Sequence, residues 1–326
     1  MYTEFYGLTS RPFQLTPDAR FFFESSVHRQ ATAYLLYGLH SAEGFIVITG
    51  EVGAGKTILV DNLLSTINGS EFVTAKIVTT QLAGDDLLHM VAAGFGIDQD
   101  DLAKASLLRR ITEFLIAQHR SGRRALLVVD EVQNLSFEAL EELRMLSNIV
   151  IDNRMALQSF LVGQPQFRKI LGSPELEQLR QRVTAAYHLG PLNEPETRAY
   201  IEHRLRRAGW KADPHLTDDC FSAIYNNSGG VPRRINSLCS RLFLYGFIEG
   251  LHTLSGSAAE RVALDLRKEV AVVTVAPTNA VDPSAGFLLS EIEGRIGKLE
   301  GGFDRQRRLI RRAIALAANY LFDEAP

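Results

Sequence analysis

The octapeptide GEVGAGKT at residues 50–57 constrains this chain more than any other stretch. It fits the pattern G-x-x-x-x-G-K-[ST], which is short enough to occur by chance, so its flanks decide how it is interpreted. The apolar run FIVIT at 45–49 predicts a buried strand, and ILVDNLLSTI after the motif has the spacing of an amphipathic helix. Strand, glycine loop and helix together are typical of a loop that wraps phosphate.

The residue types of this loop suit a nucleoside triphosphate bound together with magnesium. Its glycines let backbone N–H groups and the helix N-terminus face phosphate oxygens. Lys56 is expected to reach the β- and γ-phosphates, and Thr57 to offer its hydroxyl to Mg²⁺. ATP and Mg²⁺ are therefore the predicted cofactors. The loop residues predicted to contact nucleotide are Gly50, Glu51, Val52, Gly53, Ala54, Gly55, Lys56, Thr57 and Ile58.

A second motif, RRALLVVDEVQNL, supplies the acids that hydrolysis requires. Its apolar run at 125–129 predicts a central strand, so Asp130 and Glu131 emerge at the carboxyl end, where open α/β sheets bind ligands. We expect Asp130 to hold the magnesium through water, with Thr57 as the other metal-binding residue. Glu131 would orient and polarise the attacking water. The alternative is a pair of solvated acids at a strand end.

Other polar residues near these motifs leave two interpretations open. Gln164 ends the run LQSFLVGQ at the same predicted sheet edge, where it either contacts the γ-phosphate and the water or simply begins the next helix. Arg180 and Arg182 precede the fifth strand, and Arg233 and Arg234 begin a later helix. Arginine pairs well with phosphate, but arginines at helix ends are commonly exposed or paired with carboxylates.

The order of elements predicts a parallel α/β sheet followed by helices. Helical periodicity separates five apolar runs rich in β-branched residues, which indicates a sheet covered on both faces. The strand-like runs lie at 45–49, 72–78, 125–130, 157–162 and 185–189. Beyond about residue 190 only helical patterns follow, and then a linker rich in Pro, Gly and Ser. The predicted domains are 1–190 (α/β), 191–270 (helical lid), 271–286 (linker) and 287–326 (helical, coiled-coil-like tail).

Composition limits the class of protein. The chain has 326 residues, 46 % of them hydrophobic, and a formal net charge of −3. This near-neutral charge argues against a protein built to coat nucleic acid, although a local basic patch leaves nucleic acid open as a partner. No basic leader precedes an apolar core and no run approaches a bilayer-spanning length, so we expect a cytoplasmic protein without a transmembrane segment. The basic tail segment DRQRRLIRRAIALAANYLF fits a partner helix, an anionic membrane surface, nucleic acid or packing within the protein.

Together these motifs resemble AAA+ ATPases, and more narrowly the ExeA/GspA family of general secretion ATPases. Within it they are similar to the group that accompanies exosortase and exopolysaccharide loci, the XrtA/PEP-CTERM-associated ATPases. The resemblance covers residues 1 to about 268. It rests on FYGLTSRPFQLTPDARFFFESSVHRQATAYLLYGL, GEVGAGKT, LLVVDEVQNL, LVGQPQF, LRQRV and GGVPRRIN.

This resemblance implies a P-loop NTPase fold of the AAA+ type, with sheet order 5-1-4-3-2 and a small helical lid over the nucleotide. It implies that the segment 13–28 lines the adenine side of the pocket and that Gln164 is the sensor-1 residue. Arg182, with Arg180 in reserve, would be the finger that reaches a neighbouring subunit, and Arg233 the sensor-2 arginine of the lid. A finger acting in trans implies a homo-oligomer.

The function that follows is an Mg²⁺-dependent ATPase that drives a bacterial envelope secretion or exopolysaccharide export system. Its partner would be a membrane-bound export protein, met in the cytoplasm or at the inner membrane surface. Full-length family members continue into a transmembrane segment and a peptidoglycan-binding domain, so we do not expect this chain to bind cell wall directly. Two alternatives are a DNA-bound ATPase of the MuB, TniB and IstB transposition-regulator type and a nucleotide-gated scaffold with negligible hydrolysis.

Overall fold

A computed structural model describes residues 2–16, 18–41, 44–67, 69–79, 84–98 and 103–274 of the chain. Met1–Glu269 form one compact unit and Val270–Pro326 a second. The predicted tail at 287–326 and most of the predicted linker lie outside the described residues. Within the described ranges every helix is too short or too polar to cross a bilayer.

Nine strands are present within the described residues, and five of them build the central parallel sheet. The strands are β1 (Phe45–Gly50), β2 (Phe72–Val78), β3 (Arg124–Asp130), β4 (Val150–Ile151), β5 (Arg154–Met155), β6 (Leu157–Gly163), β7 (Val183–Leu189), β8 (His215–Leu216) and β9 (Thr253–Leu254). The central sheet has the order β2-β3-β6-β1-β7. Counted along the chain, this is the predicted order 5-1-4-3-2, and it confirms the predicted fold class.

Helices cover both faces of this sheet. They are α2 (Ser26–Ser41), α3 (Lys56–Thr66), α4 (Gly84–Gly94), α5 (Lys104–Arg120), α6 (Phe137–Leu146), α7 (Gln166–Leu171) and α8 (Glu177–Arg180), whereas the short helix α1 (Tyr2–Phe5) precedes them and contacts α11 (Pro232–Ile248). Alternate residues of β1 serve the two faces: Phe45 and Val47 pack with residues of α4, α5 and α6, whereas Ile46 and Ile48 pack with residues of α2 and α3. The apolar run of β1 is continuous because both of its faces are buried.

The segment predicted as the lid, which keeps that name below, contains α9 (Glu194–Arg207), α10 (Asp218–Ser228), α11 (Pro232–Ile248) and α12 (Gly256–Thr274). α12 extends four residues into the segment predicted as linker. The sequence predicted helices alone in this part, and that prediction was wrong in one respect. β8 and β9 pair in parallel between the helices. A strand of two residues is too short for alternating hydrophobicity to reveal it.

A short antiparallel hairpin of β4 and β5 follows α6. Apolar residues recur at helical spacing as far as Ile149, but α6 ends at Leu146. Asp152 and Asn153 form the hairpin turn, with φ of 51° and 59°. Both central positions of such a turn need positive φ, which Asn and Asp adopt more readily than other residues with side chains. The Asp-Asn pair was therefore the available signal for this hairpin.

The N-terminal segment packs on the lid rather than on the sheet. Tyr6 and Phe13 are buried in the same apolar cluster as residues of α9, α10 and α11. The rings of Phe13 and Phe243 lie 5.4 Å apart, and the Tyr6 hydroxyl donates to the Leu251 carbonyl at 2.9 Å. The chain then passes into α2, which packs on β1 and β7. This segment therefore connects the lid with the sheet on the side where β1 ends.

Candidate functional site

The glycine loop turns the chain sharply between β1 and α3. Gly53 and Gly55 have φ of 83° and 97°, in the left-handed region that side chains disfavour. A Cβ atom on Gly53 would lie 2.2 Å from the Cβ of Arg233, which is too close for any residue but glycine. The Arg233 backbone N–H donates to the Gly53 carbonyl at 3.2 Å. The loop and the start of α11 are thus in direct contact, and the predicted sensor-2 position lies beside the predicted phosphate loop.

Lys56 begins α3 with its side chain buried beneath the loop. Its Nζ donates to the carbonyl oxygens of Gly50 at 2.8 Å and Glu51 at 3.0 Å. Burial lowers the pKa of Lys56 below its usual value, and the charges of Glu131, Asp130 and Glu51 oppose that shift. The ammonium is therefore placed among backbone oxygens and acids at the end of the sheet, where it can also bind an anion.

Thr57 and Asp130 meet across the gap between α3 and β3. The Thr57 hydroxyl donates to Asp130 Oδ2 at 2.8 Å, and Asp130 is only 4 % exposed. These two side chains place hard oxygen donors side by side, as Mg²⁺ requires. Within the described residues no cluster of three or more His, Cys, Asp or Glu side chains could hold a metal. The pair fits magnesium, which usually takes its remaining ligands from phosphates and water.

Glu131 lies directly after β3, with φ of 56° in the left-handed region. Its Oε2 accepts one hydrogen bond from Gln133 Nε2 at 2.6 Å and one from Gln164 Nε2 at 3.1 Å. Burial raises the pKa of Glu131, but the two amide donors and the Lys56 charge outweigh burial and hold it below its usual value. The carboxylate is therefore kept ionised, and the structure brings Gln164 to it at the predicted sheet edge.

A cavity of about 380 Å³ opens above these groups. Gly53, Gly55, Lys56, Thr57 and Glu131 line it from the sheet side, and Arg233 lines it from the lid. Its volume lies in the range of small-molecule sites. The N-terminal segment contributes Gln14, Leu15, Thr16, Asp18, Phe21, Phe22, Phe23 and His28 to the lining. The expected lining segment 13–28 thus supplies these eight lining residues, whereas Phe13 is 1 % exposed and belongs to the lid core.

His28 is the last residue of the predicted lining segment, but its contact with the glycine loop was not predicted. Its Nδ1 lies 2.6 Å from the Ser25 hydroxyl, and a Cβ on Gly55 would lie 3.0 Å from its Nε2. Burial lowers the pKa of His28 to about 4. The imidazole is therefore neutral near pH 7, and it packs against the glycine loop at Gly55. Its position in the family-specific opening block was the only signal, since the contact spans 27 residues of sequence.

Arg182 is the predicted site residue that the structure does not bring to the cavity. Its Nη1 donates to the Ser147 carbonyl and hydroxyl at 3.2 and 3.0 Å. Val183 pairs with Phe45 at the start of β1, whereas the glycine loop follows the end of that strand. Five residues of strand span about 16 Å. Arg182 and the exposed Arg180 therefore lie at the end of the sheet where β1 begins, whereas the glycine loop of the same chain lies where β1 ends.

The chain is similar to known proteins in both sequence and fold. Residues 39–171 match the family model described as AAA domain. The chain is 38 % identical over 255 residues to general secretion pathway protein A of Aeromonas hydrophila, covering 78 % of this chain and 46 % of that protein. It is 31 % identical over 129 residues to the Mu-like prophage FluMu DNA transposition protein B of Haemophilus influenzae, covering 40 % and 42 % of the two chains. The chain therefore spans less than half the length of these curated relatives.

Solved structures of ORC and Cdc6 proteins have a similar fold. The Aeropyrum pernix ORC1 protein in complex with DNA matches with a TM-score of 0.58 at 15 % identity, covering 82 % of this chain and 72 % of that one. Cdc6p from Pyrobaculum aerophilum matches with a TM-score of 0.56 at 15 % identity, covering 73 % and 68 %. At such identities the likeness concerns the fold alone. The chain thus has a P-loop, AAA-like fold, carries an AAA domain at residues 39–171 and is related to general secretion pathway protein A over most of its own length.

Proposed function

We propose that this protein is an Mg²⁺-dependent ATPase that drives the assembly or operation of a bacterial envelope secretion or exopolysaccharide export system. The observation that carries the proposal is the convergence of three groups on one cavity. These are the buried Lys56 ammonium, the paired Thr57 and Asp130 oxygens, and the ionised Glu131 carboxylate. The relationship to general secretion pathway protein A supports the secretion role.

In this proposal each group has one task in hydrolysis. Lys56 and the loop N–H groups bind the β- and γ-phosphates, and Thr57 and Asp130 hold the magnesium, which would neutralise charge on the phosphates. Glu131 accepts a hydrogen bond from a water and orients it toward the γ-phosphorus. As the new P–O bond forms, the bond to the β,γ-bridging oxygen breaks and ADP leaves. Gln164 contacts the γ-phosphate beside Glu131, and Arg233 contacts it from the lid.

The position of Arg182 supports a homo-oligomer. Arg182 lies at the end of the sheet opposite the glycine loop of its own chain. A contact between Arg182 and a γ-phosphate therefore requires a second copy of the chain. An arginine supplied in this way can raise turnover by roughly 10³ to 10⁵. We therefore propose that Arg182, or Arg180 beside it, completes the site of a neighbouring subunit.

We propose that the protein acts in the cytoplasm, including at the inner membrane surface, where it would contact an export partner. The partner is a membrane-bound protein of the export system. An exopolysaccharide or exosortase locus is the finer assignment, and the opening block of the sequence supports it. We keep the domain limits 1–190, 191–270, 271–286 and 287–326 as part of the same proposal.

A DNA-bound ATPase is the second candidate function. The 31 % identity to a DNA transposition protein B favours it specifically. Retention of duplex DNA on a filter separates the two candidates. Retention that needs ATP and falls steeply with salt, as phosphate contacts do, would favour the DNA-bound ATPase. ATP-independent or absent retention at 100 mM salt, taken as about physiological ionic strength, favours the export ATPase.

Replacing Glu131 by glutamine should abolish turnover and preserve ATP binding. The amide keeps the size of the side chain but loses the charge that polarises water, so kcat should fall at least about 10²-fold while the Kd for ATP changes little. Steady-state phosphate release and calorimetry measure the two quantities. Glu141→Gln is the matched control, because Glu141 pairs with Arg144 on the surface of α6. Hydrolysis by Glu131→Gln at the wild-type rate would refute the assignment of Glu131.

Two inactive variants should restore activity when mixed, if Arg182 acts in trans. Arg182→Ala keeps its own Glu131, and Glu131→Gln keeps its own Arg182, so a mixed interface contains one complete site. Each variant alone should lose about 10³-fold in turnover, and an equimolar mixture should recover a substantial fraction of the wild-type rate. Arg206→Ala, which removes an exposed lid arginine paired with Glu202, is the control. A mixture no more active than its components would contradict action in trans.

A further inference from the structure

The side-chain amide of Gln133 lies between Glu131 and the end of the neighbouring strand. Its Nε2 donates to Glu131 Oε2 at 2.6 Å, and its Oε1 accepts the Gln164 backbone N–H at 2.9 Å. We propose that Gln133 is a positioning residue for hydrolysis: it fixes the Glu131 carboxylate to the end of β6 and so aims its second oxygen at the attacking water. This inference rests on the proposed function, in which Glu131 orients that water.

The orientation of the Gln133 amide follows from its two partners. The Gln164 backbone N–H can only donate, so the atom facing it must be the carbonyl oxygen of Gln133. The amide nitrogen then faces Glu131, whose ionised carboxylate can only accept. If the amide were rotated by half a turn, its nitrogen would face the Gln164 N–H, a second donor, and its oxygen would face the Glu131 carboxylate, a second acceptor. The network therefore holds Gln133 in a single orientation.

The backbone around Gln133 is fixed independently of this amide. Val132–Asn134 form a short 3₁₀ turn after Glu131. The Thr79 hydroxyl donates to the Glu131 carbonyl at 2.7 Å, and Asn134 Nδ2 donates to the Thr79 carbonyl at 3.1 Å. Thr79 is fully buried and follows β2. The turn is thus anchored to one neighbour of β3 by Thr79 and to the other by the Gln133 side chain.

Gly163 leaves the space that the Gln133 amide occupies. A Cβ on Gly163 would lie 2.9 Å from Gln133 Oε1 and 2.7 Å from the Cγ1 of Val132. The φ of Gly163 is not in the left-handed region, so the close approach of Val132 and Gln133, and not backbone conformation, excludes a side chain here. A glycine immediately before Gln164 therefore belongs to the same arrangement.

The two amides act on one oxygen of Glu131 and leave the other available. Oε2 accepts from both Gln133 and Gln164, whereas Oε1 accepts no hydrogen bond from the described residues. When the Gln164 side chain contacts a γ-phosphate instead, the Gln133 amide still holds the carboxylate. Gln133 thereby keeps Glu131 oriented while Gln164 changes partner.

Two Gln133 variants, measured beside the wild type, test this proposal. Gln133→Met has a similar length but no hydrogen bonds, and Gln133→Glu keeps the acceptor for Gln164 while it replaces the donor to Glu131 by a like charge. Losing the donor releases the Glu131 carboxylate, so kcat at neutral pH should fall about 10-fold or more while the KM for ATP stays near the wild-type value. The fall should be larger for Glu than for Met, because a like charge also repels the carboxylate. In the Glu131→Gln background, Gln133→Met should cause no further fall in kcat.

The ATP affinity and the thermal unfolding midpoint show that each variant is folded and binds its substrate. Gln30→Met removes an exposed amide from α2 and is the matched control, with an unchanged kcat and KM expected. A fall in kcat that is accompanied by an equal loss of ATP affinity, or that persists in the Glu131→Gln background, would mean that Gln133 is merely structural and would overturn the proposal. A wild-type kcat in both variants would overturn it as well.

Glu131→Gln, assayed in parallel, separates this inference from the function on which it rests. If Glu131→Gln is inactive and the Gln133 variants behave as the wild type, the positioning role alone fails. If Glu131→Gln hydrolyses ATP at the wild-type rate, the assignment of Glu131 fails, and the role of Gln133 with it.

Discussion

The adjacency of β1, β6 and β3 in the sheet is the constraint on which the rest of this site depends. Neighbouring strands lie about 4.8 Å apart, so groups that follow the carboxyl ends of these three strands fall within about 10 Å of one another. Lys56 follows β1, Gln164 follows β6 and Glu131 follows β3. β6 lies between β1 and β3 in the sheet. It thereby places the Gln164 amide between the Lys56 ammonium and the Glu131 carboxylate.

The N-terminal segment and the lid share one apolar core, and both reach the same cavity. Arg204 of α9 is buried, and its Nε donates to the Pro12 carbonyl while its Nη1 donates to the Tyr200 hydroxyl. The guanidinium also lies over the Phe21 ring, 4.9 Å from its centroid. Residues on either side of Pro12 are therefore tied to the lid, whereas Ser25 and His28 support the phosphate loop from the sheet side. The opening block thus joins the two parts of the molecule that enclose the cavity.

Much of this architecture was predictable from the sequence because it depends on local patterns. Each of the five long strands buries one or both faces over five or more residues. Their apolar runs therefore predicted the ends of each strand to within two residues. The β4–β5 hairpin and the β8–β9 pair were missed because strands of two residues carry no periodicity, although Asp152 and Asn153 were a usable turn signal. The contact of His28 with Gly55 and the hydrogen bond of Gln133 to Gln164 were not predicted, for a different reason. Each joins residues about 30 positions apart, which no single-sequence spacing reports.

Binding of ATP to the loop around Lys56 is the central claim, and calorimetry of Lys56→Ala with Mg²⁺ and ATP tests it most directly. Removing a buried ammonium that binds phosphate should weaken affinity by roughly 10- to 100-fold. Lys268→Ala, at an exposed position of α12, should bind as the wild type does. Full ATP affinity in a folded Lys56→Ala protein would contradict this account of the site.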